Sequence, residues 1–424
     1  MNIKNETQFV DRWTELTSAD VMRLAEEHGT PFYIYDATAI EQRVKLVRDS
    51  LQGLAKVYYA VKANPNLELL RAVNSFADGL DISSGGELEQ AYLAGFDMEN
   101  LSFAGPAKTA DELRLSIARG VGCISVESMR ELQNIIELAK SLGTKANILI
   151  RVNPKFLNRA FGMKMGGKPI QFGIDEENLD GILPYVTANL QYLNFNGIHI
   201  YAGSQCFDVE GVVEGVTQVF RIVREIEANT GLFCRKINLG GGFGVSHGLA
   251  YRELEIGALA EALVAVLREM HGSSSSKREI FFELGRFLTA NAGLYVVKVI
   301  SGKESRGKHF YMVDGGLHHH LSASGTFGSS LRANFPIGNL TKPGAPKLVC
   351  SLAGPSCNPT DLLGIDVELP SPGIGDLLGV YKSGSYGFTA SPLLFLGRKT
   401  PVELVWRDDK IIVGRPAFVM QDFN

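Results

Sequence analysis

Nowhere in its 424 residues does the chain carry a run near the roughly 18 apolar residues a membrane-spanning helix needs, so no membrane partner is expected. Its opening residues, Met1-Asn2-Ile3-Lys4-Asn5-Glu6, form no apolar signal core, and five cysteines, at 123, 206, 234, 350 and 357, show no paired spacing. Together these two absences place the protein in a reducing cytoplasm. Concentrated positive charge is missing too: 42 Lys and Arg against 46 Asp and Glu give a net charge of −4, without a basic stripe to meet phosphates. Nucleic acid is excluded as a partner, and a small substrate is expected. There is no internal repeat.

What is present is the texture of a globular protein, 45% hydrophobic and 21% charged, long enough for a barrel of roughly 250 residues and a smaller domain. Short β-rich runs recur between helical patterns: Val57–Val61, Gly79–Ser83, Leu101–Ala104, Cys123–Val126, Ile148–Val152, Gly197–Ala202, Lys236–Leu239 and Ile280–Glu283. Eight strands alternating with helices such as 128–141 and 212–230 predict an α/β fold, a (β/α)8 TIM-like barrel over residues 31–284. Beyond residue 285 strands follow one another without long helices, which predicts a C-terminal, mostly antiparallel β domain over 285–424. Residues 1–30 are expected to pack on that domain. The run Ser273–Ser276 is expected to be a surface loop.

The chemistry begins at Tyr58-Tyr59-Ala60-Val61-Lys62. Alternation puts Tyr58, Ala60 and Lys62 on one strand face, and if that face is the barrel interior, Lys62 emerges at the C-terminal mouth where barrel enzymes place their sites. A lone lysine is ordinarily a solvated surface residue. Here, however, Leu239-Gly240-Gly241-Gly242-Phe243-Gly244 follows the seventh strand, leaving backbone N–H groups for an anion, and Glu283-Leu284-Gly285-Arg286 follows the eighth. Barrel phosphate sites favour those two loops. A lysine for an aldehyde, glycines and Arg286 for a phosphate and Glu283 for a ring nitrogen describe a site for pyridoxal 5′-phosphate.

With these residues on the page, the chain resembles the fold-type III pyridoxal-phosphate decarboxylases, the group of the diaminopimelate, ornithine and arginine decarboxylases with an alanine racemase-like fold. Matches run in family order from about Pro31 to Arg398: Tyr58–Asn64, Gly197-Ile198-His199, Gly203-Ser204-Gln205, Gly240–Gly244, Glu283–Arg286, Gly354-Pro355-Ser356-Cys357 and Ser385-Tyr386-Gly387. The resemblance implies that Lys62 forms the Schiff base and Glu283 faces the pyridine nitrogen. It implies phosphate contacts from Gly241, Gly242, Arg286 and Tyr386, makes Ser204, Gly285, His199 and Tyr201 further cofactor-binding candidates, and places Asp81 beside the cofactor. It further implies a head-to-tail homodimer in which Cys357 reaches the partner's site. A carboxylate at the pyridine nitrogen keeps the ring protonated, so the electrons left when CO2 departs can delocalise into it, and a thiol is a suitable acid to return the proton.

Three departures bear on substrate. Tyr201 occupies the position where the family usually stacks a histidine on the cofactor, with His199 two residues earlier. Cys357 is followed by Asn358 where relatives carry Glu or Asp for a distal amine, leaving Asp361 as the acid that could compensate. The segment Gly315-Gly316-Leu317-His318-His319-His320 is extended as far as Arg332, which stands where an arginine would grip a distal carboxylate. Read as a strand, three adjacent histidines alternate in direction, which argues against a metal and for their lining the mouth. These departures, with Met163-Lys164-Met165-Gly166-Gly167 and Gln171-Phe172-Gly173, are similar to the subgroup containing the butirosin-type glutamyl-acyl-carrier-protein decarboxylase and exosortase-associated decarboxylases. An amino acid or a carrier-linked aminoacyl group is therefore the expected substrate. The alternatives are a true meso-diaminopimelate decarboxylase making lysine, a racemase, against which Glu283 speaks, and a catalytically silent binding homologue, against which retention of Lys62, Glu283, Arg286, Cys357 and Tyr386 speaks.

Overall fold

Short apolar runs rich in β-branched and aromatic residues, set between helical patterns, suit parallel strands buried on both faces beneath helices. The computed structural model describes residues 12–156, 160–246, 253–272, 278–324 and 333–423. Its first twelve strands are β1 (Phe32–Asp36), β2 (Lys56–Ala60), β3 (Gly79–Ile82), β4 (Leu101–Phe103), β5 (Cys123–Val126), β6 (Ala146–Asn153), β7 (Phe161–Lys164), β8 (Ile174–Asp175), β9 (Leu193–His199), β10 (Gly203–Cys206), β11 (Lys236–Asn238) and β12 (Glu279–Leu284). Eight of them pair in parallel in the order β5-β4-β3-β2-β12-β11-β9-β6, and β5 pairs with β6 to close the barrel. These are the eight runs read from the sequence.

Alternation sorts the barrel's two faces. Tyr58, Cys123, Leu149 and Phe281 form a separate interior cluster, with Tyr58 stacked on Phe281 at 4.3 Å, while Val57, Tyr59, Ile124 and Val126 join the core beneath the helices. Along β12 every second residue points inward. Glu279 at the bottom accepts hydrogen bonds from Tyr58 (3.0 Å) and Lys56 (2.6 Å), Phe281 fills the middle, and Glu283 arrives at the mouth.

The second sheet contains β13 (Gly293–Ser305), β14 (Lys308–Val313), β15 (Ile337–Asn339), β16 (Lys347–Ala353), β17 (Leu362–Pro370), β18 (Leu377–Val380), β19 (Val402–Arg407) and β20 (Lys410–Arg415), ordered β17-β16-β14-β13-β1-β19-β20, with β18 on β13 and β15 on β18. It is mostly antiparallel, with parallel pairs only at β1–β19 and β14–β16. β1 lies within the span assigned from the sequence to the barrel, yet it sits in this sheet between β13 and β19. Its five residues are buried throughout, so their pattern resembles that of a barrel strand. The helix Ser18–His28, started by a capping box between Thr17 and Asp20, lays Val21, Leu24 and Ala25 on Phe32, Ile34, Leu294 and Leu404 of the same sheet.

The two units are stitched together beside Lys62. Glu403 of β19 accepts hydrogen bonds from Tyr35 (2.7 Å) and Asn66 (3.1 Å), and Asn66 in turn caps the helix Leu67–Val73. Asn64 donates to the Gly384 carbonyl (3.1 Å), and the Tyr386 amide donates to the Ala63 carbonyl (2.8 Å). The turn bearing Lys62 is thus held from the second sheet. Among the described residues no helix is long and apolar enough to cross a membrane.

Candidate active site

Lys62 is not the last residue of a strand. β2 ends at Ala60, and Val61–Ala63 form a single 3-10 turn, so Lys62 enters the mouth from above Tyr58 and Ala60 and not as the next member of their face. Its Nζ lies 2.6 Å from Asp81 Oδ2 at the end of β3. The lysine side chain is 47% exposed and the aspartate 2%. Burial works against the ammonium, but the Asp81 carboxylate beside it more than offsets this and raises its pKa. Asp81 Oδ1 is buried and has no hydrogen-bond partner.

Opposite stands Glu283. Asn238 Nδ2 donates to Oε1 at 2.6 Å, and His199 Nε2 lies 3.5 Å from Oε2. Burial, reinforced by the nearby Asp81 charge, pushes the Glu283 carboxyl up to about 8. A cation or N–H beside Oε2 would draw it down again. His199 is enclosed at the end of β9, with Nδ1 3.0 Å from Ser125 Oγ, and burial, helped by Arg151, Lys62 and Lys108, holds it well below the usual imidazole range. It is therefore neutral.

Tyr201 lies past the end of β9, where burial raises its hydroxyl to about 12, and its ring lies so close to Gly240 that a Cβ there would come within 2.6 Å of Cδ2. Gly241 and Gly242 then pass between strands. A Cβ on Gly241 would strike the Glu283 carbonyl at 1.9 Å, and Gly242, at φ +93°, would strike Gly203 O at 2.0 Å, so neither position admits a side chain. Gly203 and Ser204 belong to β10, which pairs with β7 across the mouth. Arg286 opens the short helix Arg286–Thr289 with its guanidinium 4.6 Å from the Tyr386 ring. Tyr386 itself has φ +53°, a left-handed backbone that aims its ring back over the barrel. A Cβ on Gly285 would enter the space between Ala60, Ala63 and the Tyr386 hydroxyl.

This donor set suits pyridoxal phosphate. An amine stands by a carboxylate with an orphaned oxygen, a second carboxylate lies across the mouth, and between them glycine backbone and a guanidinium suit a phosphate. The structure therefore brings Lys62, Asp81, His199, Tyr201, Ser204, Gly241, Gly242, Glu283, Gly285, Arg286 and Tyr386 to one end of the barrel. Asn238 and Ser125 belong to the same cluster and were not singled out by the sequence reading. Their signal was there in the alternation: Lys236 and Asn238, like Cys123 and Ser125, face inward on strands whose intervening residues are apolar.

The expected substrate residues fare differently. Asp361 is 2% exposed, with Oδ1 accepting from the Leu317 amide (2.6 Å) and Oδ2 from the Ser356 amide (2.9 Å). It ties its own loop to the turn at Leu317, and within one chain it is buried with each oxygen already engaged by a backbone amide. Asn358 accepts from Thr360 N (3.0 Å) and Oγ1 (2.9 Å), folding its own loop, and Cys357 is exposed at the loop's tip. Arg332 lies outside the described residues. The three histidines occupy a turn and not a strand, with the amides of His319 and His320 both donating to Gly316 O, so the alternation argument does not apply. All three are buried in the second domain, where His320 meets Ser383 Oγ at 2.9 Å and Tyr33 donates to the His319 carbonyl at 2.7 Å; they do not line the barrel mouth. Burial lowers their pKa values, to about 3 for His319 and His320. Among the described residues no group of His, Cys, Asp or Glu is placed to hold a metal.

Comparison with known proteins agrees with this geometry. Residues 37–290 match the family of pyridoxal-dependent decarboxylases, pyridoxal binding domain. The chain is 38% identical over 401 residues to an L-glutamyl-[BtrI acyl-carrier protein] decarboxylase of Niallia circulans, covering 93% of this chain and 92% of that one. It is 32% identical over 371 residues to a diaminopimelate decarboxylase of Pseudomonas aeruginosa, covering 87% and 86%. The crystal structure of diaminopimelate decarboxylase from Helicobacter pylori complexed with L-lysine superposes with a TM-score of 0.84 at 29% identity, over 95% of this chain and 98% of that one. The chain belongs to the pyridoxal-dependent decarboxylases and is a pyridoxal-phosphate-dependent amino-acid decarboxylase with the barrel and β domain of that family.

Proposed function

We propose that the enzyme removes the α-carboxylate from a carrier-linked or otherwise elongated aminoacyl group in the cytoplasm, working as a homodimer with shared sites. The observation that carries the substrate reading is the loop Gly354–Asp361. It exposes no carboxylate to a distal ammonium, because Asn358 replaces the acid and Asp361 is buried with an amide on each oxygen. Similarity to the L-glutamyl-[BtrI acyl-carrier protein] decarboxylase over nearly the whole chain supports the same reading.

When bound, pyridoxal phosphate supplies an electron sink for the pair left as CO2 departs. Lys62 would hold its aldehyde, with Asp81, 2.6 Å from Nζ, keeping the lysine in place. Glu283 would face the ring nitrogen and keep a proton there, with Asn238 fixing its other oxygen. The backbone of Gly241, Gly242 and Gly285, with Ser204, Arg286 and the Tyr386 hydroxyl, would hold the phosphate end, and Tyr201 would lie against the ring. Cys357, exposed on its own subunit, would supply the proton for the α-carbon in the partner's site. The exposure of Cys357 supports the dimer, since a proton donor turned to solvent on one chain needs a second chain to enclose it. The five cysteines are all free, which suits a reducing compartment.

A second reading, decarboxylation of free meso-diaminopimelate, is favoured by the superposition on the Helicobacter pylori enzyme. A CO2-release screen of meso-diaminopimelate, lysine, ornithine, arginine and glutamate against carrier-tethered glutamate decides between the two. Turnover of the tethered substrate alone is expected, and rapid turnover of free diaminopimelate would replace this proposal with the second reading.

A further inference from the structure

His199 has no place in the chemistry described so far, yet it is completely enclosed beside the one carboxylate that faces the ring nitrogen. Its surroundings come from every neighbouring element. Ser125 on β5 lies 3.0 Å from Nδ1, and Glu283 Oε2 on β12 lies 3.5 Å from Nε2, which has no hydrogen-bond partner of its own. Arg151, opposite His199 in the β6–β9 register, is held by Glu127 at 2.8 Å, and Lys108 is held by Glu131 at 2.9 Å. With Lys62 these make three cations near the ring, so adding a fourth positive charge is unfavourable. Asn238 on β11 occupies the other Glu283 oxygen.

A neutral imidazole has a single N–H. With Glu283 ionised, as its role at the ring nitrogen requires, a proton on Nδ1 would leave the Nε2 lone pair facing a carboxylate oxygen with nothing between, a repulsive arrangement in a dry site. If it is on Nε2, the N–H points toward Glu283 Oε2, and Nδ1 is left to accept the Ser125 hydroxyl. Ser125 can serve as donor and so select this second form.

We infer that Ser125 and His199 are a positioning pair for Glu283: the serine fixes the imidazole tautomer, and the neutral Nε2–H steadies the carboxylate from the side opposite Asn238. A neutral donor is what this place requires. It favours the ionised glutamate, which must hold a proton on the ring nitrogen, without bringing in a cation that would compete with that nitrogen for the carboxylate. A lysine or arginine here would pair with Glu283 outright.

This inference rests on the reading of Glu283 as the ring-nitrogen partner, and the test separates the two. In protein labelled with 15N-histidine and free of cofactor, the resonances missing from His199→Phe should show a neutral ring protonated at Nε2 at about pH 9.5, where Glu283 is ionised. Ser125→Ala should lose that single form and give a mixture of tautomers, with Ser125→Thr restoring it. In the cofactor-loaded protein, the pH midpoint of the visible absorbance change should rise by about one unit in His199→Phe and by less in Ser125→Ala, as expected when a hydrogen bond to a charged carboxylate is lost. The wild-type measurement alone keeps the inference open to refutation should a variant fail to fold. Protonation of His199 at Nδ1 in the wild type overturns it, as does an unmoved midpoint in both variants when Glu283→Gln changes the spectrum. If Glu283→Gln also leaves the spectrum and cofactor affinity unchanged, the reading of Glu283 itself fails.

Discussion

The barrel mouth and the loop Gly354–Asp361 both belong to the expected site, but they are built in opposite ways. In the mouth Lys62 and Glu283 already have counterparts in the same chain: Lys62 finds Asp81, and Glu283 finds Asn238 and His199. Strand alternation and burial fix these contacts, and none of the partners comes from the loop. The loop instead turns its polar side chains on itself, through Asp361 and Asn358, and leaves Cys357 exposed. A region complete within one chain sets the reaction, whereas a region that satisfies itself and projects one reactive group is made to meet something else. On the function proposed above, the mouth carries reaction type and the loop substrate choice and assembly.

The contrast can be broken first at the mouth. Lys62→Ala should abolish the visible absorbance of the bound cofactor and lower CO2 release by at least about 10^3-fold, read by spectrum and steady-state kinetics. Cys357→Ala should leave that absorbance intact while reducing kcat by about 10^2-fold, the scale of a lost general acid. Equal loss of cofactor in both variants would erase the distinction between the regions.

Glu283 offers a test by pH. Its carboxyl is raised from 4.5 to about 8 in the folded protein, so the cofactor-free fold binds its proton more tightly than the unfolded chain does. The stability this contributes is fully present below pH 4.5 and is lost as pH rises through about 8. In denaturant titrations of the cofactor-free protein, wild type should lose more stability than Glu283→Gln between pH 5 and 8. A parallel pair of curves would show that burial does not set this group's charge.

Asp361→Ala should cost about 1–3 kcal/mol of stability, because two buried amides, of Leu317 and Ser356, lose their acceptor. Its KM should move less than its melting temperature; the reverse would return Asp361 to the substrate. The smallest effect is expected from Asn358→Glu, which restores a carboxylate at the loop tip and should raise turnover of free diaminopimelate by only a few fold, about 1 kcal/mol of new interaction.

Legibility in the sequence follows the same division. The eight barrel strands and Glu283 could be read because burial on a regular scaffold imposes alternation, and alternation survives in the sequence; Lys62 and the Gly240–Gly244 turn were legible from their place just past strand ends, although Lys62 lies in a 3-10 turn and not on the strand face. Strand β1 was misplaced because five consecutive buried residues look the same in either sheet. The histidine segment was misread for a related reason: its geometry comes from two amides folding back on Gly316, a turn without period. Asp361 shows the limit most plainly. An acid in a polar loop looks available to a ligand, and only the approach of the Ser356 amide from its own loop and of the Leu317 amide from a turn distant in sequence reveals that it is buried and engaged. Ser125 and Asn238 were hidden differently, each being a polar residue whose meaning depends on a side chain of a nearby barrel strand, His199 or Glu283.

The most direct test of the division is complementation between two inactive variants. Lys62→Ala and Cys357→Ala, co-expressed and purified together, should regain about a quarter of wild-type CO2 release, because half of randomly paired dimers then contain one site with both residues native. If the mixture stays no more active than the Cys357→Ala homodimer alone, the thiol acts within its own chain and the division drawn here is wrong.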